Sequence, residues 1–167
     1  MAILPILQYP DDRLHTVAKK VTEITDGTRA LIENMAETMY SAPGIGLAAT
    51  QVDVHQCVIV VDASERHDNL LVFVNPELLE AGGESECEEG CLSVPGIYEK
   101  VKRAQRIVVR AQNAHGREFT LEAEGLLAVC IQHEMDHLQG KVFVDYLSHL
   151  KQTRIRSKLK KRRRETM

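Results

Sequence analysis

Two periods run through the apolar positions of this chain. Residues 56–62 (QCVIVVD) and 70–75 (LLVFVN) are short runs dense in β-branched residues and predict strands, with ERHDN between them as a turn. Residues 105–111 (QRIVVRA) and 117–123 (REFTLEA) alternate apolar and polar positions and predict a hairpin joined through Asn113–Gly116. A further strand is predicted over 97–103. Helical spacing takes over elsewhere. A first helix starts near Asp26 as N-cap, runs through LIENMAETMY with Leu31, Met35 and Met39 every fourth position, and stops before Pro43. Its methionines read as core. A second helix is predicted within residues 125–140, and a last one over 148–164, amphipathic only at its start and then basic.

The stretches between these elements are less regular. Residues 1–24 read as partly extended, broken by Pro5 and Pro10. Residues 44–51, GIGLAATQ, place two glycines around Ile45, as a backbone does when it approaches something closely or takes positive φ. Pro76 opens a further segment and GGE at 82–84 is a turn. Residues 86–96, ECEEGCLSVPG, read as an acidic loop, and 141–147 as a connector.

Length and composition narrow the class. A chain of 167 residues fits one domain with a real core, and 44% hydrophobic with 27% charged residues is ordinary for a globular protein. With no repeat or linker, residues 1–147 are expected to form the catalytic part and 148–167 a basic helix of the same domain. No apolar run approaches the roughly 20 residues a membrane helix needs. The N-terminus turns acidic too soon for a signal peptide, so a cytoplasmic monomer without membrane contact is expected. There Cys57, Cys87, Cys91 and Cys130 are buried small hydrophobes or ligands rather than disulfides. The charge is unevenly spread. Residues 151–167 hold nine Lys or Arg and one Glu, a net of +8, while the other 150 residues hold twelve basic and 23 acidic residues, a net of −11. A basic tail on an acidic body is a candidate for docking on RNA.

The chemistry centres on GLLAVCIQHEMDHLQG, residues 125–140, which carries His133, Glu134 and His137 as H-E-x-x-H. Positions i and i+4 share a helix face, so the two imidazoles point at one spot, as adjacent ligands of a metal do. Glu134, one residue on, flanks the ion without binding it and can carry the proton of a water the metal acidifies. Gly140 is placed to end the helix just past the second His.

A catalytic metal usually keeps three protein ligands and one open position. The extended zinc-protease pattern H-E-x-x-H-x-x-G-x-x-H is met through Gly140, but its last position is Phe143. The one downstream Glu, Glu165, lies in the basic tail; Asp145 and His149 remain possible without fitting a pattern. Upstream, Cys91 in EGCLS would complete a Cys-His-His set with an open site.

Three motifs, GIGLAATQ (44–51), EGCLS (89–93) and QHEMDHLQG (132–140), resemble the bacterial peptide deformylase family in identity, order and spacing, in the short form common in Gram-negative bacteria. The resemblance implies an α+β fold: small antiparallel or mixed sheets packed around a central H-E-x-x-H helix, with a C-terminal helix. It implies hydrolysis of the formyl group from the N-terminal formyl-methionine of nascent polypeptides, giving formate and a free amine. It also implies one divalent ion on Cys91, His133 and His137, usually Fe²⁺ in the cell, with zinc, nickel or cobalt able to substitute. Glu134 is then general base and acid. Gln51 through its side-chain amide and Leu92 through its backbone N–H meet the formyl oxygen, and Gly46 leaves room for the formyl group. Ile45, Leu126, Val129 and Cys130 are candidates for the methionine pocket. Asp136 is expected to pair with a cation such as Arg103 or to orient a ligand imidazole. The tail 151–167 is a candidate contact to the ribosome. Two rival readings remain from the residues alone. A zinc endopeptidase would cleave unformylated peptides and be indifferent to Cys91→Ala; a non-catalytic metal or RNA-binding module would be indifferent to Glu134→Ala.

Overall fold

The computed structural model describes residues 2–166. Its elements, in chain order, are α1 (Asp26–Ser41), β1 (Gly46–Ala48), β2 (Val58–Val61), β3 (Leu71–Gly82), β4 (Ser85–Cys91), β5 (Val94–Arg103), β6 (Arg106–Gln112), β7 (Glu118–Glu124), α2 (Gly125–Leu138) and α3 (His149–Thr166). The four residues of β2 are all fully buried, although a strand with one solvated face would alternate. Both faces of its sheet are covered. Val58 and Val60 pack with Ile32, Met35 and Met39 of α1, while Ile59 and Val61 pack with Ala128, Cys130, Ile131 and Leu138 of α2. The sheet is antiparallel throughout, in the order β1-β2-β3-β6-β7, and α2 follows directly from β7. The methionines of α1 are core, as their spacing predicts.

A second sheet, the β4–β5 hairpin, stands apart from the first. Val94, Ile97 and Val101 of β5 pack with Ile155 and Leu159 of α3 and with Tyr9, Leu14 and Phe143. Ile155 and Leu159 seat α3 on the hairpin, and most of its remaining residues are basic. The N-terminal segment is extended and ties the parts together. The Leu7 N–H donates to the Gln51 carbonyl, and the Tyr9 N–H donates to the Ser93 carbonyl. The arrangement is α+β, as expected.

Three local expectations need correction. The cap of α1 is Thr25, not Asp26: its Oγ1 accepts from the Thr28 N–H while the Thr28 Oγ1 accepts from the Thr25 N–H. Asp26 is the first helical residue and pairs with Arg29 at 2.7 Å. Pro76 does not open a new segment, because β3 runs through it. The register slips between Val74 and Glu77, and a bulge absorbs the N–H that proline lacks. Residues 86–91, read as loop, are strand. Their acidity is one-sided: Glu86 and Glu88 are exposed opposite Lys102 and Lys100, while Glu89 is buried. Opposite charges facing each other across the two strands favour the pairing of a segment that composition alone marks as turn.

Candidate metal centre

Three elements meet at one place. The middle of α2 brings His133 and His137, one turn apart, with their Nε2 atoms 3.3 Å from each other. The end of β4 brings Cys91, whose Sγ lies 3.5 Å from the His137 Nε2. The three ligand atoms all lie within 4.8 Å of one another, and both imidazoles are buried. The third element is β1 with the 3₁₀ turn Ala49–Val52 that follows it. That turn carries Gln51, 1% exposed, whose Oε1 accepts from the Ala48 N–H at 2.9 Å. The bond fixes the amide so that Nε2 faces the Cys91 Sγ at 3.5 Å and the Ser93 Oγ at 3.0 Å.

Glu134 sits against the same spot. Its two carboxylate oxygens are 4.0 Å from the His133 and His137 Nε2 atoms, and Oε1 is buried with no hydrogen-bond partner among the described residues. Gly46 makes this position possible. A Cβ on Gly46 would lie 2.5 Å from the Glu134 Oε2. At this glycine of the G-x-G-x-A run β1 passes close against α2, and the contact is with the carboxylate.

The charges around the ligands call for a cation. Burial pushes the Glu134 carboxyl up to about 7, with Glu89 and Asp136 adding repulsion. Burial works against a charged His133, yet the Glu134 carboxylate, the Cys91 sulfur and Glu89 together hold its pKa well above the ordinary value. His137 is held well below its ordinary value by burial and by the positive charges of His133 and Arg103. A proton on His133 thus stands where a divalent ion would satisfy the same anionic surroundings while facing both neutral imidazoles. A soft thiolate with two imidazoles, an unsatisfied carboxylate alongside and a fixed amide donor form a donor set that fits a first-row divalent metal.

The chain matches the family described as polypeptide deformylase over residues 3–153. It is 64% identical over 164 residues to a peptide deformylase of Nitrosomonas europaea, covering 98% of this chain and 89% of that one. It is 60% identical to a peptide deformylase of Neisseria meningitidis over the full length of both. The crystal structure of the Legionella pneumophila peptide deformylase superposes with a TM-score of 0.95 at 47% identity, covering 99% of this chain and 98% of the other. The chain belongs to the peptide deformylase family. It is a metal-dependent hydrolase of that family, which acts on nascent formyl-methionine peptides. None of its described helices is long and apolar enough to cross a membrane.

Every residue expected at the metal is brought together, and so are Glu134, Gln51 and Gly46. All of them but the fully buried His137 line a cavity of about 570 Å³ whose walls include Ile45, Leu92, Val94 and Ile97. Of the four residues expected to hold the methionine side chain, only Ile45 lines this cavity. Val129 and Cys130 are buried one turn before His133 and Glu134, and burial pushes the Cys130 thiol up to about 12, as befits a core residue. Leu126, a further turn back, is 57% exposed.

The structure adds a group that the sequence reading passed over. Glu89 is buried, accepts from the His133 Nδ1 at 2.8 Å, and accepts from the Arg103 Nε and Nη2 at 2.8 and 2.9 Å. Arg103 also pairs with Asp136, and the Tyr146 hydroxyl donates to the same Asp136 oxygen. Asp136 thus takes Arg103, as expected, and it is Glu89 that orients a ligand imidazole. Burial would raise the Glu89 carboxyl, but hydrogen bonds from Arg103 and His133 pull it below the ordinary value. The signal in the sequence was only the period of a strand, which puts Glu89 and not Glu88 inward.

Proposed function

We propose that the chain removes the formyl group of N-terminal formyl-methionine with Cys91, His133 and His137 as metal ligands and Glu134 as the proton carrier. The observation that carries this is the convergence of the Cys91 sulfur and two imidazoles within 4.8 Å, with the Glu134 carboxylate 4.0 Å from both rings. A bound divalent ion supplies Lewis acidity for the formyl oxygen and acidifies a water. Glu134 takes the proton of the attacking water and delivers it to the departing amine; a carboxyl held near neutrality suits both steps. The Gln51 Nε2 and the Leu92 backbone N–H donate to the oxygen as negative charge develops, each such donor being worth about 10² to 10³ in rate. Gly46 leaves space at Glu134 for the formyl group.

The methionine side chain enters the cavity beside Ile45 and Leu92. Thiolate and imidazole ligands accept several ions. We assign Fe²⁺ in the cell, with Zn²⁺, Ni²⁺ or Co²⁺ able to substitute, so that turnover falls on exposure to oxygen. The protein acts as a cytoplasmic monomer in which the parts 1–147 and 148–167 form one domain, a reading supported by the burial of Ile155 and Leu159 of α3 against β5.

The test is formate release from a formyl-Met peptide by nickel-loaded protein. Glu134→Ala is expected to keep stoichiometric metal and lose turnover by at least 10², and Cys91→Ala to lose the metal. Cleavage of unformylated peptides, or turnover by Cys91→Ala at the wild-type rate, would overturn the assignment.

The basic end of α3 supports a second part of the reading, docking on ribosomal RNA. Ile155 and Leu159 are core, so truncating the helix would unseat it. Replacing the exposed Lys160, Lys161 and Arg164 by Gln is the cleaner test. Weaker ribosome co-sedimentation with a shallower salt dependence is expected; unchanged binding ends the docking proposal.

A further inference from the structure

The cavity at the metal centre does not stop at β5. Gly96, Ile97 and Tyr98 line it and also line a second cavity, of about 460 Å³, between the outer side of the β4–β5 hairpin and α3. Tyr98 is 64% exposed and its ring lies over Gly90, where a Cβ would come within 2.6 Å of it. The ring marks the passage from one cavity to the other.

The second cavity has a distinct charge. Lys151, Arg154 and Lys158 project into it from α3, and Glu88 and Glu99 from the hairpin. Lys151 and Glu99 neutralise each other at 3.1 Å. Arg154 and Lys158 are exposed and make no ion pair among the described residues. Glu88 offers one negative charge against these two. Through Arg154 and Lys158 the groove therefore carries an excess of positive charge that no ion pair among the described residues takes up.

Its dimensions suit a peptide. From Gly96 to Glu99 the strand advances about 10 Å at roughly 3.3 Å per residue. From Lys151 to Lys158 the helix advances about 10 Å at roughly 1.5 Å per residue. That length holds about three extended residues.

We infer that the groove between β5 and α3 is an extension of the substrate site, which takes the downstream residues of a formylated peptide and favours Asp or Glu there through Arg154 and Lys158. The inference rests on the deformylase reading of the metal centre. A peptide whose formyl end lies at the metal and whose chain leaves past Tyr98 enters this groove next. Its carboxylates then meet Arg154 and Lys158, which have no ion-pair partner among the described residues, whereas lysines meet repulsion. Such exposed pairs are weak and screened by salt, so the effect is a graded preference rather than a requirement.

The experiment compares kcat/KM for formate release from formyl-Met-Ala-Ser peptides extended by two Glu or by two Lys, with formyl-Met-Ala as the reference. At about 20 mM salt the Glu peptide is expected to exceed the Lys peptide by about three- to tenfold, and the ratio to approach one at about 500 mM. In Arg154→Glu/Lys158→Glu the ratio inverts, and in Arg154→Gln/Lys158→Gln it collapses. The readout is a ratio between two peptides on one enzyme, so a loss of activity common to both cancels. Equal kcat/KM for the two peptides, or a preference that neither double variant moves, overturns the inference while turnover of formyl-Met-Ala leaves the deformylase reading standing. No turnover of formyl-Met-Ala overturns both.

Discussion

Gly46→Ala isolates the contact between β1 and the Glu134 carboxylate. The added Cβ would stand 2.5 Å from Oε2, 2.9 Å from Cδ and 3.0 Å from Cγ of Glu134, so the carboxylate has to retreat by roughly 0.9 Å to reach an ordinary contact of 3.4 Å. The backbone at Gly46 is strand and accepts alanine, which by itself favours the folded state by about 0.5–1 kcal/mol. Crowding in a packed interior costs about 1–3 kcal/mol. The two partly offset, leaving a stability loss of about 0–2.5 kcal/mol. Catalysis does not offset. A displacement of about 1 Å in a group that carries a proton costs on the order of 10² in rate. The expected result is kcat for formate release down about a hundredfold, with one metal per chain retained and a melting temperature lower by no more than about 10 °C. If kcat stays within threefold of wild type, or if activity falls only in step with lost metal or unfolding, then Gly46 is not there to seat Glu134.

Three further outcomes follow from the packing. Glu89→Gln removes the charge that holds the His133 Nδ1 and the buried Arg103; it is expected to weaken metal binding by about 10–100-fold and to cost about 3–5 kcal/mol, read by metal titration and by denaturant melts. Unchanged metal affinity would show that His133 needs no such support. Gly140→Ala places a methyl 2.7 Å from the His15 backbone oxygen at φ +76°, so a loss of about 2 kcal/mol is expected with kcat of the folded fraction preserved; wild-type stability would refute it. Asp62 gives a pH dependence. Burial acts to raise its carboxyl, but hydrogen bonds from Ser64, Tyr40 and Asn69 bring it below its ordinary 3.8. A depressed native pKa stabilises the fold above the unfolded pKa, and that contribution is lost as pH falls through the lower, native one. Asp62→Asn should therefore be less stable at neutral pH and show a flatter decline than wild type below about pH 4; parallel stability curves would refute the assignment.

The amino-acid sequence by itself determined the parts whose geometry is local. His133 and His137 share a helix face because any α-helix repeats every 3.6 residues, and Gly140 ends that helix because its φ of +76° suits glycine. Strands β2, β6 and β7, the first part of β3 and the buried methionines of α1 were legible for the same reason: burial leaves its period in the residues. What only the tertiary structure decided are the meetings between distant segments. Cys91 reaches His137 across 46 residues because β4 pairs with β5 in one register and the hairpin is pinned by the N-terminal segment and α3. Without that register, composition makes 86–91 a loop and gives no reason to prefer Glu89 over Glu88. The same holds for Gly46 under Glu134 and for the groove that α3 forms with β5. Local sequence sets how a residue faces its own element; which other element stands opposite depends on how sheets and helices stack, and no short stretch of chain encodes that.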